Sequence, residues 1–283
     1  MGVKVNSDKQ SDAFRKELGE KKDALKTNIG NQRETVKQVV RRMFSITEDS
    51  ASNEEIRSRL LSGGKITGTN MCVLVCAMII ASVGLNTGST AVIIGAMLIS
   101  PLMGSILAAA YGTAANDLTL VRNHLVGFAV QIVISLAAST LYFLLSPVKE
   151  PTSELLARTS PTFFDVLIAT AGGVAGIIGQ TREDKANNII PGVAIATALM
   201  PPLCTCGYSI ANGNWKMLGG AAYLFILNVY FIFLSSCVVL TLLKTPKVRE
   251  LTPGEWKRLR NRMIRNTILV VIPSIAALIA LAQ

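Results

Sequence analysis

The chain has 283 residues, half of them hydrophobic and only 16% charged, and carries a formal net charge of +10. Its mean hydropathy of +0.45 and the confinement of charge to a few blocks set it apart from a typical soluble domain. All five cysteines (Cys72, Cys76, Cys204, Cys206 and Cys237) fall in apolar stretches, which excludes the disulfide framework of a small secreted domain.

Residues 66–116, 124–148, 166–181, 186–215, 217–243 and 266–283 contain no Asp, Glu, Lys or Arg. A hydrocarbon core about 30 Å thick needs roughly 20 apolar residues of helix. Seven spans follow, at 66–84, 90–111, 124–146, 162–180, 189–211, 217–243 and 266–282. Backbone groups in lipid must be satisfied internally and no regular alternation runs through these segments, so the spans are predicted as helices.

In chain order, residues 1–65 are predicted as a cytosolic helical segment without a secretory signal peptide. Leu18, Lys22, Leu25, Ile29, Gln32, Val36, Val39 and Met43 recur at spacings of four and three, as in a coiled-coil seam or an amphipathic surface helix. A second helix starts with Ser52 and Glu55 as a capping box and stops at Gly63–Gly64. Spans 1 and 2 divide at Leu85–Ser89, with Asn86 expected to cap span 2, and Pro101 interrupts span 2 near its centre. Asn116, Asp117, Arg122 and His124 form a polar cluster before span 3. In the loop before span 4, Glu154 and Arg158 are spaced to pair, and Pro161 is expected to start the span. Gly172, Gly173, Gly176 and Gly179 leave a smooth packing stripe on span 4. Asn187 precedes span 5, which Pro201 and Pro202 interrupt. The basic loop 244–265 leads to the final segment 266–283, and its Lys257, Arg258, Arg260, Arg262 and Arg265 are expected to touch anionic head groups.

With the N-terminus in the cytoplasm, 25 basic residues fall inside and three (Lys149, Arg158 and Lys216) outside, so the surplus orients the chain N-in and C-out. The basic surplus therefore calls for no nucleic-acid partner.

Asn86–Gly104 and Asn187–Thr205 overlay without a gap at an offset of 101, matching Asn86/Asn187, Val92/Val193, Ile94/Ile195, Leu98/Leu199, Pro101/Pro202 and Leu102/Leu203. A duplicated unit with a broken helix in each half is a transporter pattern, and three spans per unit make the halves inverted repeats. Spans 2 and 5 would then face each other. The prolines would release the carbonyls of Met97, Thr197 and Ala198 beside the hydroxyls of Ser100, Ser105, Thr197 and Thr205. That set suits a partly dehydrated cation or a small neutral solute, whereas the half-helix N-termini would suit an anion. The competing explanation is a pair of tolerated kinks. No charged residue occupies mid-span and no catalytic motif occurs, so neither enzyme activity nor a cofactor is expected. A soft-metal role for Cys204 and Cys206 lacks completing ligands.

The segments GLNTGSTAVIIGAMLISPLMGSILAAAYG, ELLARTSPTFFDVLIATAGGVAG, PGVAIATALMPPLCTCGYSIANG and LFILNVYFIF together resemble the bacterial and archaeal "uncharacterised hydrophobic domain" family, domain of unknown function 389, from about Ile56 to Leu243. The resemblance implies a multi-span inner-membrane protein and brings no substrate or catalytic residues. Cys206 departs from the small residue expected there.

The expectation is thus an all-α polytopic membrane protein, a 3+3 inverted repeat plus one span, passing a small ion or solute. Self-association through the N-terminal seam or the Gly face of span 4 is also expected. A non-transporting scaffold or sensor acting through its cytosolic helices is the alternative.

Overall fold

The computed structural model describes residues 50–182, 199–250 and 252–282, all within one compact unit, Ser50–Gln283. The seam from Leu18 to Met43, the first part of span 5 and three expected site residues, Asn187, Thr197 and Ala198, lie outside the described residues. The described residues form helices and no strand, apart from an isolated bridge between Ser50 and Arg182.

Helix α1 (Asn53–Gly63) begins as its sequence dictates, with Ser52 Oγ accepting from the Glu55 N–H at 3.3 Å. Only half of the expected box forms, because the Glu55 carboxylate pairs with Arg59 at 2.5 Å instead. Then come α2 (Gly68–Asn86), α3 (Thr90–Ile99), α4 (Leu102–Ala114), α5 (Leu118–Leu145), the short α6 (Ser153–Ala157), α7 (Phe163–Thr181), α8 (Met200–Ala211), α9 (Trp215–Leu242) and α10 (Pro253–Ala282). By length and composition α2, α5, α7 and α9 can each cross a membrane, and α3 with α4 makes a fifth crossing if the bent pair is one span.

The bend between α3 and α4 is 47° and falls at Ser100–Pro101, where the missing proline N–H interrupts the ladder. Thr162, not Pro161, immediately precedes α7. The Asp165 carboxylate accepts from the Thr162 N–H at 2.6 Å and hydroxyl at 2.8 Å, which fixes the first helical residue, Phe163, two beyond the proline. The expected Glu154–Arg158 pair forms at 3.6 Å. The stretch read as a basic loop is helical from Pro253 onward. Thr252, Pro253 and Glu255 explain this: Thr252 Oγ1 accepts from the Glu255 N–H at 3.4 Å, and Glu255 Oε2 accepts from the Thr252 N–H at 3.0 Å, a full capping box with proline at the first position.

Hydrogen bonds locate the helix ends. The end of α2 meets the segment after α5, with Asn86 Nδ2 donating to Ser146 Oγ at 2.7 Å and Thr152 Oγ1 donating to Leu85 O at 2.6 Å. The end of α7 meets the start of α1, where the Ala51 N–H donates to Thr181 O and Arg59 donates to Arg182 O. The end of α9 lies by that of α4, since Cys237 Sγ approaches Ala110 O at 3.6 Å and the Val248 N–H donates to Ala115 O. Helices α2 and α7 therefore finish at opposite ends of the bundle.

Two turns have the same construction. After α4, Asn116 takes φ 58° and Asp117 caps α5; after α8, Gly213 takes φ 65° and Asn214 caps α9. Both helices that follow are 28 residues long. The positions correspond at an offset of 97 (Tyr111/Tyr208, Asn116/Gly213, Asp117/Asn214), not the 101 at which the prolines align. The ungapped overlay thus slips by four residues, about one helical turn, between the prolines and these turns.

Packing is reciprocal as well. Helices α4 and α8 each pack against both α5 and α9 and, among the described residues, do not form a packed pair with each other. Spans 2 and 5 therefore do not face one another directly in the parts described, because the long helices stand between them. The Gly-rich face of α7 packs on α9, where a Cβ on Gly173 would meet Ser235 Oγ at 2.0 Å and Ile232 O at 2.7 Å.

Candidate functional site

Helix α5 is turned inside out relative to a water-soluble helix. Its buried face carries Gln131, Ser135 and Ser139, at helical spacing along one side, and the buried Ser146 follows its last residue. Its exposed face carries Leu125, Val126, Val130, Val133, Leu141 and Leu144. In water that arrangement would hide hydrogen-bonding groups and display an apolar stripe. In lipid it is the favourable one.

The polar face builds a column between helices. Ser105 on α4 donates to Gln131 Oε1 at 2.9 Å, with both residues 1% exposed. Two turns further along, Ser139 Oγ lies 3.1 Å from Ser82 Oγ of α2 and donates to Cys204 O of α8 at 3.1 Å. At the end of α5, Asn86 Nδ2 reaches Tyr142 Oη at 3.3 Å and Ser146 Oγ at 2.7 Å. Between these, Ser135 Oγ is fully buried with no hydrogen-bond partner among the described residues, and Asn86 Oδ1 is likewise unpaired. An unmet buried polar group costs about 1–3 kcal/mol.

Gln131 is the fourteenth of the 28 residues of α5, and Asn228 is the fourteenth of α9. Both are buried. One turn before each amide, Phe128 and Phe225 stack on one another with centroids 6.2 Å apart. These pairs share the offset of 97, as do Ser139 and Ser236, and Ser236 Oγ donates to Gly173 O of α7 at 3.3 Å. The approach of Cys237 to Ala110 has its counterpart in Gly207, where a Cβ would lie 2.9 Å from Thr140 N.

The expected site residues are distributed differently from their sequence reading. Asn86 does not cap the next helix. It is the last residue of α2, buried, and α3 starts after Ser89 without a side-chain cap, because Asn86 turns toward α5. The Met97 carbonyl is not released, since the Ser100 N–H takes it at 3.3 Å in a tightened last turn. Ser100 Oγ accepts from the Leu102 N–H at 3.4 Å. Ser105 is committed to Gln131, and Thr205 donates to Pro201 O at 2.9 Å. Pro201 and Pro202 are buried in the first turn of α8, whereas Pro101 is partly exposed. The basic residues Lys257, Arg258, Arg260, Arg262 and Arg265 lie on α10 itself.

Gln131, Ser135, Ser139 and Asn228 were missed by the sequence reading, although a signal existed. Gln131 is the only amide in span 3, Asn228 is the only one in span 6, and each sits mid-span. Among the described residues no cluster of His, Cys, Asp or Glu could hold a metal ion.

Residues 97–234 match the family described as "Domain of unknown function (DUF389)", a segment that includes both mid-helix amides. The "Uncharacterized protein MJ0678" of Methanocaldococcus jannaschii is 26% identical over 186 residues, covering 66% of this chain; the match spans 58% of that relative's length. No solved structure matches the chain. The family that the sequence resembles, the domain of unknown function 389, is thus matched over residues 97–234 of this chain.

Proposed function

We propose that this is an inner-membrane protein of seven spans that passes a small ion or solute along the α5 column. Six of the spans form a 3+3 inverted repeat with α10 added, and the protein is not an enzyme. The carrying observation is the buried, uncharged polar column with Ser135 Oγ left open between Gln131 and Ser139. Neutral hydroxyls and amides suit a small polar solute or a partly dehydrated cation, and an unpaired hydroxyl in a dry interior favours any cargo that completes it. The repeat is supported by the opposite ends reached by α2 and α7, the shared 97-residue register and the exchange of contacts between α4–α9 and α8–α5. Phe128 against Phe225 is the contact expected beside a two-fold axis. An N-in, C-out orientation rests on the concentration of basic residues at the end shared by α1, the 244–250 segment and the start of α10. Self-association through the N-terminal segment or the α7 face is part of the same reading.

The test is flux in liposomes across a panel of small ions and osmolytes. The expected result is passage by the native chain that Gln131→Leu with Asn228→Leu, or Ser135→Val, reduces at least about tenfold. A scaffold or sensor is the second reading, favoured by the internal pairing of Ser105 with Gln131 and of Ser82 with Ser139. Absence of flux for the whole panel, with those variants still folded, would select it.

A further inference from the structure

A second site lies apart from the column, at the end of the bundle where α4 and α9 finish. Tyr230 Oη contacts Thr267 Oγ1 at 2.7 Å and donates to Met263 O at 3.0 Å, and Tyr223 Oη donates to Val270 O at 2.7 Å. These bonds hold α10 against α9. Toward the start of α10 the two helices part and enclose a cavity of about 670 Å³, within the roughly 300–1,000 Å³ of small-molecule sites. Its lining is mainly apolar, with Ala114, Val238, Leu242, Trp256, Leu259 and Met263, and the hydroxyls of Thr113 and Thr241 in it are spent on Ala109 O and Cys237 O. Its rim is polar, with Lys247 and Glu250 on a segment clamped to α4 by the Val248 N–H on Ala115 O at 2.8 Å and by Asn116 Nδ2 on Arg249 O at 2.9 Å.

An apolar slot with one polar lip fits an amphiphile. Electrostatics select its head group. From Lys244 to Arg265 there are eight basic residues against Glu250 and Glu255, and the Glu255 carboxylate is engaged by Thr252 and by Arg249 at 3.0 Å. Trp256, 49% exposed at the cavity edge, is the residue type enriched at membrane interfaces.

We propose that this cavity binds one acidic phospholipid, its acyl chain between α9 and α10 and its phosphate at Lys247. The lipid fills the wedge between the two helices and ties α10 to the bundle. The site is independent of the transport reading, because the column contributes none of its walls.

Native mass spectrometry of the detergent-purified chain tests this, using phosphatidylglycerol, phosphatidylcholine and glycerol 3-phosphate as probes. The expected result is one retained phosphatidylglycerol per chain, with phosphatidylcholine and glycerol 3-phosphate not retained. Lys247→Glu should weaken retention about fivefold or more, following roughly 1 kcal/mol per basic contact. Ala114→Phe should do the same by filling the slot, and Leu242→Trp, at an exposed wall position, repeats the block where Ala114→Phe fails to fold. Arg258→Glu and Arg262→Glu, which lie off the cavity wall, should have the smaller effect. Three outcomes overturn the proposal. They are equal retention of phosphatidylcholine, retention of glycerol 3-phosphate alone, and loss of lipid with the α10 surface variants while both slot-filling variants bind normally.

Discussion

A Cβ on Gly207 would lie 2.5 Å from Ser139 Oγ and 2.9 Å from Thr140 N, so α8 reaches α5 only because position 207 has no side chain. The close approach also lets Ser139 donate to Cys204 O. Gly207→Val is expected to destabilise the protein by about 1–3 kcal/mol through overpacking, read as a lowered melting temperature in detergent. Ser139→Ala removes two hydrogen bonds with little change of volume and should cost about 1 kcal/mol, since interhelical hydrogen bonds in lipid average well below 2. A Ser139→Ala loss as large as that of Gly207→Val would show that polar pairing, not close packing, holds α8 to α5. Residues of this kind were the least legible in the sequence. Gln131, Ser135 and Ser139 do stand at helical spacing in an apolar run, but Ser is common in membrane helices. Which helix the stripe faces is decided by tertiary packing alone.

Helix α10, like α7, has its beginning set by titratable chemistry. The backbone N–H and the hydroxyl of Thr252 both donate to the Glu255 carboxylate, and Arg249 and Arg258 lie close, so its pKa is held below the ordinary value of 4.5. A carboxyl depressed in the folded state contributes while ionised, and its contribution is lost as pH falls through the depressed folded value. The first turn of α10 should therefore fray on acidification, seen as faster amide exchange around residues 255–258. Glu255→Gln should be frayed already at neutral pH and lose that acid dependence. Local chemistry of this sort is readable in advance: the Ser52 cap, the Pro101 break and the end of α1 at Gly63–Gly64 followed from residue type and spacing. The Thr252 box was overlooked because the dense positive charge after it suggested a solvated loop. The opposite error befell Asn86, whose position before an apolar run suggested a cap. The chain instead makes a separate turn at Gly88, φ 65°, that leaves Asn86 inside the preceding helix.

For the molecule as a whole, solvent is the deciding variable. Val133 is 67% exposed near the middle of α5, where a water-soluble protein would accept lysine readily. In a bilayer Val133→Lys should cost about 2.5–3.5 kcal/mol of insertion free energy, measured as reduced membrane yield or in a glycosylation-based insertion assay. Unchanged insertion would contradict the lipid-facing assignment of that surface. Four of the seven expected spans, or five with the bent pair, are long and apolar enough to cross among the described residues, and they were legible because charge-free runs of the right length leave few alternatives. The repeat proposed above was suggested only in outline: paired prolines pointed to a doubling, but apolar residues match one another too easily to fix the register. The correspondence emerged from turns and mid-helix amides.

The four-residue slip between the two halves has a consequence for motion. Pro101 precedes Asn116 by fifteen residues, whereas Pro202 precedes Gly213 by eleven, a difference of about 6 Å along a helix axis. In the proposed repeat the two prolines therefore sit at unequal depths, and exchanging the roles of the two halves would not regenerate the same molecule. If the chain passes a solute as proposed, its conformations open to one compartment and to the other would be unlike in energy, and it would rest with a preferred side open even where no gradient acts upon it.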